Sequence, residues 1–231
     1  MIATNPHQTS NSGQSTRLWA IIKKVHFHLW RSRIAIFSKT ARVGIDPLLI
    51  LWVDPAEIKA AGVGWGRYTE GYDKSNEFGK VVGGNWDLDV MPFEHLDIYQ
   101  SFEAHFKRGV RWEATSHYRM IQAQLRLGLR PWGIRDSADL ERRLQNLDLL
   151  YTDIHDHGYR SQRWAWEGSY SRQAMDEVTA RIGRQGNLLF EDGRHRLTIA
   201  KLLQLPTIPV MVTWRHADWV RCGNELTLTK D

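Results

Sequence analysis

The chain has 231 residues, 42% of them hydrophobic and 25% charged, which is enough apolar content for one large packed domain and excludes global disorder. No apolar run approaches the roughly 20 residues needed to cross a bilayer, and the single cysteine, Cys222, excludes an intramolecular disulfide framework and zinc sites built on paired thiolates. The net charge of +5 divides into +6 over the first fifty residues and −1 over the rest, so long-range attraction for polyanions belongs to the N-terminal part alone.

Residues 1–16 are polar and read as a disordered tail without a secretory-signal pattern, which gives a cytoplasmic expectation. Residues 17–45 read as a basic helical extension. Leu18, Ile21, Ile22, Val25, Leu29 and Trp30 lie near one face of a helix over Arg17–Phe37, with Lys23, Lys24, Arg31 and Arg33 opposite. That apolar stripe is expected to pack on the domain, with weak contact to an anionic membrane surface as the alternative.

Residues 46–231 are expected to form an α+β domain with a small mixed sheet and packed helices. Leu48–Val53 is an apolar run of strand length, ended by Asp54-Pro55. Ala61–Gly79 reads as a loop, and Lys80–Asp87 as a short strand running into a tight turn. A helical insertion is expected at about 93–135. Phe93, Leu96, Tyr99, Phe102 and Phe106 mark one helix there, and Trp112–Leu127 a second, stopped by Gly128 and Pro131. Ser137 reads as the N-cap of a helix striped by Leu140, Leu144, Leu147, Tyr151 and Ile154 and ended by Gly158. Val178–Ile182 and Leu188–Glu191 read as a hairpin around Gly183–Asn187, followed by a helix from Arg194 to Leu203 and a strand over Ile208–Trp214.

The segment Asp192-Gly193-Arg194-His195-Arg196-Leu197-Thr198 breaks a local rule. Three groups able to carry positive charge occupy a helix's first turn, where the macrodipole favours acids. An anion bound at the helix start would reverse that penalty, and a glycine before it would let the ligand approach the backbone. A basic helix start without a ligand is the plain alternative.

The same residues, continued by Ile199–Leu203, Leu205 and Ile208-Pro209-Val210, resemble the signature segment of the ParB/sulfiredoxin-like superfamily. Upstream, Asp156–Gln162 is similar to that family's helix–glycine–extended segment, and the resemblance covers about 140–216. It implies ATP, ADP or CTP held by Gly193, Arg194, His195, Arg196 and Thr198, with Arg160 and Gln162 on the opposite wall of the cleft beside Tyr159. Asp192 and His195 are then the catalytic candidates, Asp192 serving Mg²⁺, a small hydroxyl acceptor's proton or simply the helix cap. No residues are assigned to a resident metal.

Departures from the family narrow this expectation. Arg194 stands where sulfiredoxins carry their reactive cysteine, which argues against that activity. Only about fifteen residues follow His216, which argues against partition-type, sequence-specific DNA binding. The leading expectation is a nucleotide-binding protein, potentially a phosphotransferase from ATP or ADP to a small-molecule acceptor. A non-enzymatic nucleotide-dependent module, docking its partner on Trp86–Trp132, is second, and a nucleic-acid-binding or nuclease-like relative third. Asp87 and Glu113 are reserve acids. The pairs His26/His28 and His155/His157 are weak metal signals, because residues two apart on a helix diverge. His216 is expected to end the last strand near the surface.

Overall fold

The computed structural model describes residues 46, 48–62, 77–161 and 176–223, together with Val25, His28, Leu29 and Ser32. The fold is α+β. Its seven strands are β1 (Ile50–Val53), β2 (Ala60–Gly62), β3 (Lys80–Val82), β4 (Val90–Pro92), β5 (Val178–Ile182), β6 (Leu188–Asp192) and β7 (Ile208–His216). They form one open mixed sheet in the order β1-β7-β5-β6-β2-β4, with β3 pairing the last three residues of β7. Five α-helices accompany them among the described residues: α1 (Asp97–Phe102), α2 (Ser116–Arg126), α3 (Ser137–His157), α4 (Arg194–Leu202) and α5 (Ala217–Arg221). None of these helices is long and apolar enough to cross a membrane.

The centre of the sheet is the part most directly written in the sequence. β7 is buried at eight of its nine positions, because β5 lies along one edge and β1 with β3 along the other. A strand with both edges and both faces covered needs a nearly unbroken apolar run, and Ile208–Val212 supplies it. The β5–β6 hairpin closes through Gly183 and Asn187, with Gly186 at φ 85° in the turn. α4 then carries the chain from β6 to β7, burying Leu197, Ile199, Ala200 and Leu202. These side chains share one core with Phe93, Phe102, Trp112, Ile121, Leu140, Leu144, Leu147 and Ile154 from the helical segments upstream.

Several elements depart from expectation, each for a tertiary reason. Ala61 and Gly62, read from the sequence as the start of a loop, belong to a strand (Ala60–Gly62) because β6 and β4 pair with it on either side. The single helix expected over Phe93–Phe106 is broken into a 3₁₀ turn (Phe93–His95), α1 and a π-helical turn (Glu103–Lys107). The widened turn lets two neighbours stack in different directions, His105 on Trp112 (4.1 Å between centroids) and Phe106 on Tyr151 (4.0 Å). The N-cap of α3 is Asp136, which accepts from the Asp139 N–H at 2.8 Å, rather than Ser137. Val25 and Leu29 are helical and exposed (52% and 66%), so these two members of the N-terminal apolar stripe are not packed on the domain. The rest of that stripe lies outside the described residues.

Gly193 joins β6 to α4 at φ 88°, and a Cβ there would stand 2.9 Å from the Cα of Val178 in β5. Gly193→Ala combines left-handed strain with a clash against backbone that has no room to yield, and is expected to cost about 2–4 kcal/mol of stability. Denaturant unfolding of the variant checks this, and a loss below the measurement error would show that α4 does not need that contact.

Candidate functional site

The start of α4 carries Arg194, His195 and Arg196 with no acid in its first turn, and its N-cap, Gly193, has no side chain to cap the helix. The unfavourable charge placement expected from the sequence is therefore present in the fold. The three side chains do not, however, form one cluster. Successive helical residues point about 100° apart, and tertiary partners separate them further. Arg196, mostly buried, pairs with Asp176 at 3.3 Å and lies close enough to Tyr159 to act on its hydroxyl. Arg194 and His195 turn toward the helical insertion.

There they meet residues that the sequence does not single out. The Arg194 guanidinium lies 4.2 Å from the centre of the Trp132 ring. Arg143, from α3, approaches the same ring at 5.9 Å, and the His117 ring of α2 lies 5.8 Å from it. His195 stacks on Phe102 of α1, nearly parallel at 5.7 Å, and its buried Nε2 has no hydrogen-bond partner among the described residues. Trp132 itself adopts φ 51°, ψ 31°, a left-handed conformation that is rare and strained for a bulky residue.

The electrostatics of this group are one-sided. Half-buried Arg143 has no ion-pair partner among the described residues, and burial lowers its pKa from the usual arginine value. Burial, reinforced by Arg194 and Arg143 against the opposing pull of Asp97, brings His117 down to about 4. His195 is held well below its ordinary value by burial, then by Arg194, Arg143, His117 and Arg196. Both imidazoles are thus neutral at pH 7. Among the described residues Asp97 faces the group, its Oδ2 3.4 Å from His117 Nδ1 and without a hydrogen-bond partner there. Two guanidiniums beside two suppressed imidazoles are groups that an anion can bridge.

Comparison of the chain with family models, with curated proteins and with solved structures finds no match. The site therefore has to be read from its own chemistry.

The other sequence candidates fall in different places. Gly193 is closed on its Cβ side by Val178, so helix–strand packing by itself requires the missing side chain. Asp192 is the half-buried last residue of β6, opposite Thr179, and the N-cap position expected for it belongs to Gly193. Its neighbour Glu191 is buried against Arg181 (2.7 Å) and the Thr213 hydroxyl, so these two acids do face different surroundings. Thr198 has no exposed surface, and its hydroxyl lacks a partner. Arg160 is exposed and engages both carboxylate oxygens of Asp153, at 2.8 and 3.0 Å. Gln162 lies outside the described residues. Among those residues no group of three His, Cys, Asp or Glu side chains could hold a metal.

The reserve acids serve structure. Glu113 is exposed beside Arg111 at 3.4 Å. Asp87 is buried and takes the Arg184 backbone N–H and its guanidinium, while Arg184 also reaches Gly84 O and Asn85. His216, expected near the surface, is buried at 1% exposure; its Nε2 donates to Gly84 O at 2.9 Å and its Nδ1 accepts the Asp218 N–H, capping α5. The Gly83–Asp87 turn is thus a clamp between the β5–β6 hairpin and the end of β7, and Asp87 has no vacant oxygen for catalysis. His155 and His157 are exposed and each pair with an aspartate, Asp156 and Asp153 respectively.

Sequence reasoning missed His117, Trp132 and Arg143. Each looks ordinary in its own segment, and the only local sign is Trp132 wedged in Pro131-Trp132-Gly133, where ring presentation competes with turn chemistry.

The Arg184 hydrogen bonds hold Asp87 down at about 2 from its ordinary 3.8, against the opposing effect of burial. A depressed carboxyl contributes stability that is complete above the unfolded value and lost as pH falls through the folded one. Asp87→Asn is therefore expected to lower the melting temperature at pH 7, with the gap to the native protein closing between about pH 4 and pH 2. A gap that does not change with pH would mean that shape, not charge, makes the clamp.

Proposed function

We propose that this chain binds a nucleotide through its phosphates at the start of α4, and that it uses ATP or ADP to phosphorylate a small hydroxyl acceptor. The observation that carries the reading is the crowding of Arg194 and His195 at a helix start that lacks a capping side chain and an acid, with the His195 Nε2 buried and unpartnered. Helix N–H groups and a guanidinium together are strong phosphate ligands. The resemblance of Asp192–Leu197 to the ParB/sulfiredoxin-like signature supports the same ligand class, and so does an α+β fold in which the segment joins a strand to a helix over a mixed sheet. CTP remains in the ligand panel on the strength of that resemblance.

In the enzyme reading, Arg194 and His195 neutralise phosphate charge, and Mg²⁺ arrives with the nucleotide. Asp192, next to Gly193 in the chain, is the carboxylate offered for the acceptor's proton or the metal. Positioning and charge neutralisation then supply most of the catalysis, as phosphoryl transfer requires. A second reading, a nucleotide-dependent binding module, draws on the exposed Leu127 (77%), Leu129 (53%) and Met120 (36%) at the end of α2, a surface available to a protein partner.

Binding is tested with ATP, ADP and CTP, with and without Mg²⁺. Arg194→Ala is expected to weaken the preferred nucleotide by about 1.5–3 kcal/mol, the range for hydrogen bonds to charged groups. Arg196→Ala is expected to cost stability through Asp176 as well as affinity. Absence of binding to any nucleotide would overturn the proposal. Asp192→Asn then separates the two readings: an enzyme loses turnover by a factor on the order of 10²–10⁴ while keeping metal-free binding, whereas a module has no turnover to lose.

A further inference from the structure

We infer that His117, Arg143 and Arg194, gathered around Trp132, form with the neighbouring His195 a subsite for a doubly charged phosphate group, and that filling it draws protons onto the two imidazoles. The inference deepens the phosphate reading above by naming residues of the helical insertion and of α3 as its second wall. It rests on that reading only for the ligand being a nucleotide.

The geometry comes first. Three elements converge on one strained tryptophan: α2 brings His117, α3 brings Arg143 and α4 brings Arg194, while the next residue of α4, His195, stacks on Phe102 of α1. Trp132 is held in the left-handed region, a cost that persists only where the surrounding structure fixes it. The His195 Nε2 is a buried polar atom with no hydrogen-bond partner among the described residues, and such an atom has room for one. Arg143 is a half-buried guanidinium with no ion pair among the described residues.

Chemistry then selects the ligand. A single carboxylate would do little more than balance Arg143, which has no ion pair among the described residues. A phosphate dianion also reverses the field at both imidazoles, which the neighbouring cations otherwise keep neutral. The groups facing His117 are Asp97 of α1, Arg143 of α3 and Arg194 of α4; those facing His195 are Arg194 and Arg196 of its own helix, Arg143 of α3 and His117 of α2. Among the described residues, the charged groups other than Asp97 that act on the imidazoles are arginines. A dianion arriving among them raises both pKa values, so binding and protonation favour each other.

The probes are sulfate, a dianion that does not titrate in this range, and pyrophosphate, measured calorimetrically in buffers of different ionisation enthalpy. Uptake of between about one and two protons per bound sulfate is expected near pH 7, with affinity rising by up to about tenfold per proton for each pH unit between pH 8 and pH 6. The His117 and His195 ring resonances of the intact protein, followed by NMR, should titrate at higher pH when sulfate is present. Arg143→Gln, at a half-exposed helix position without an ion pair, should fold and should lose about 10–100-fold in affinity for both anions. Sulfate binding without proton uptake overturns the inference, as does wild-type affinity in Arg143→Gln or failure of the intact protein to bind either anion. Nucleotide binding that is unaffected by Arg143→Gln overturns it too and leaves the proposed function standing. Anion binding that is lost in Arg143→Gln, in a protein that binds no nucleotide, sustains the subsite and removes the nucleotide.

Discussion

A side chain at residue 193 would put its Cβ 2.9 Å from the Cα of Val178, and the absence of one lets the start of α4 lie directly on β5. Much of the molecule follows from that contact. It fixes where the helix begins and at what rotation, so that Leu197, Ile199, Ala200 and Leu202 meet the core while Arg194 and His195 face the insertion. One residue further, Arg196 is carried round to Asp176 and the neighbourhood of Tyr159. A small rotation of α4 would exchange these surroundings, and with them the chemistry assigned to each cation.

The helical insertion completes what α4 begins. Its core side chains, Phe93, Phe102, Trp112 and Ile121, belong to the same buried cluster as α4 and α3, so the insertion is part of the domain's packing and not an appendage. Around that packing sits the polar work of the π-helical turn, where His105 bonds to Val110 O (2.8 Å) and Asp148 (3.2 Å), and Asp148 also takes the Trp112 indole N–H (2.9 Å). These bonds hold α1 and the turn before α2 against α3. They therefore bear on the spacing between His117 of α2 and Arg143 of α3. Cations held close by packing repel one another, and a fold tolerates that repulsion where a ligand relieves it.

A second buried charge system has the opposite character. Asp87, Arg184 and His216 satisfy one another and the Gly84 carbonyl, with donors matched to acceptors. Nothing there calls for a ligand. The closed network at the Gly83–Asp87 turn contrasts with the group around Trp132, where Arg143 has no ion pair among the described residues.

Amphipathic periodicity and turn residues, which act locally, made much of the architecture legible from the residues alone. The β5–β6 hairpin, α4, the α3 stripe with Gly158 at its end, and β1 and β7 follow from patterns within a few residues of each position. The odd charge of Arg194–Arg196 was legible for the same reason, because the macrodipole penalty is a property of one helix end. What needed the tertiary structure was everything set by partners distant in sequence. Ala60–Gly62 is a strand only because β6 and β4 flank it, and the helix expected over Phe93–Phe106 breaks only because His105 and Phe106 must meet different partners. His216 looks like a strand end until Gly84, 132 residues earlier, closes over it. The division of the three cations, and the recruitment of His117, Trp132 and Arg143, were decided in the same way. Charge can be counted along a chain, but whether it is relieved or concentrated depends on which helices the core brings side by side.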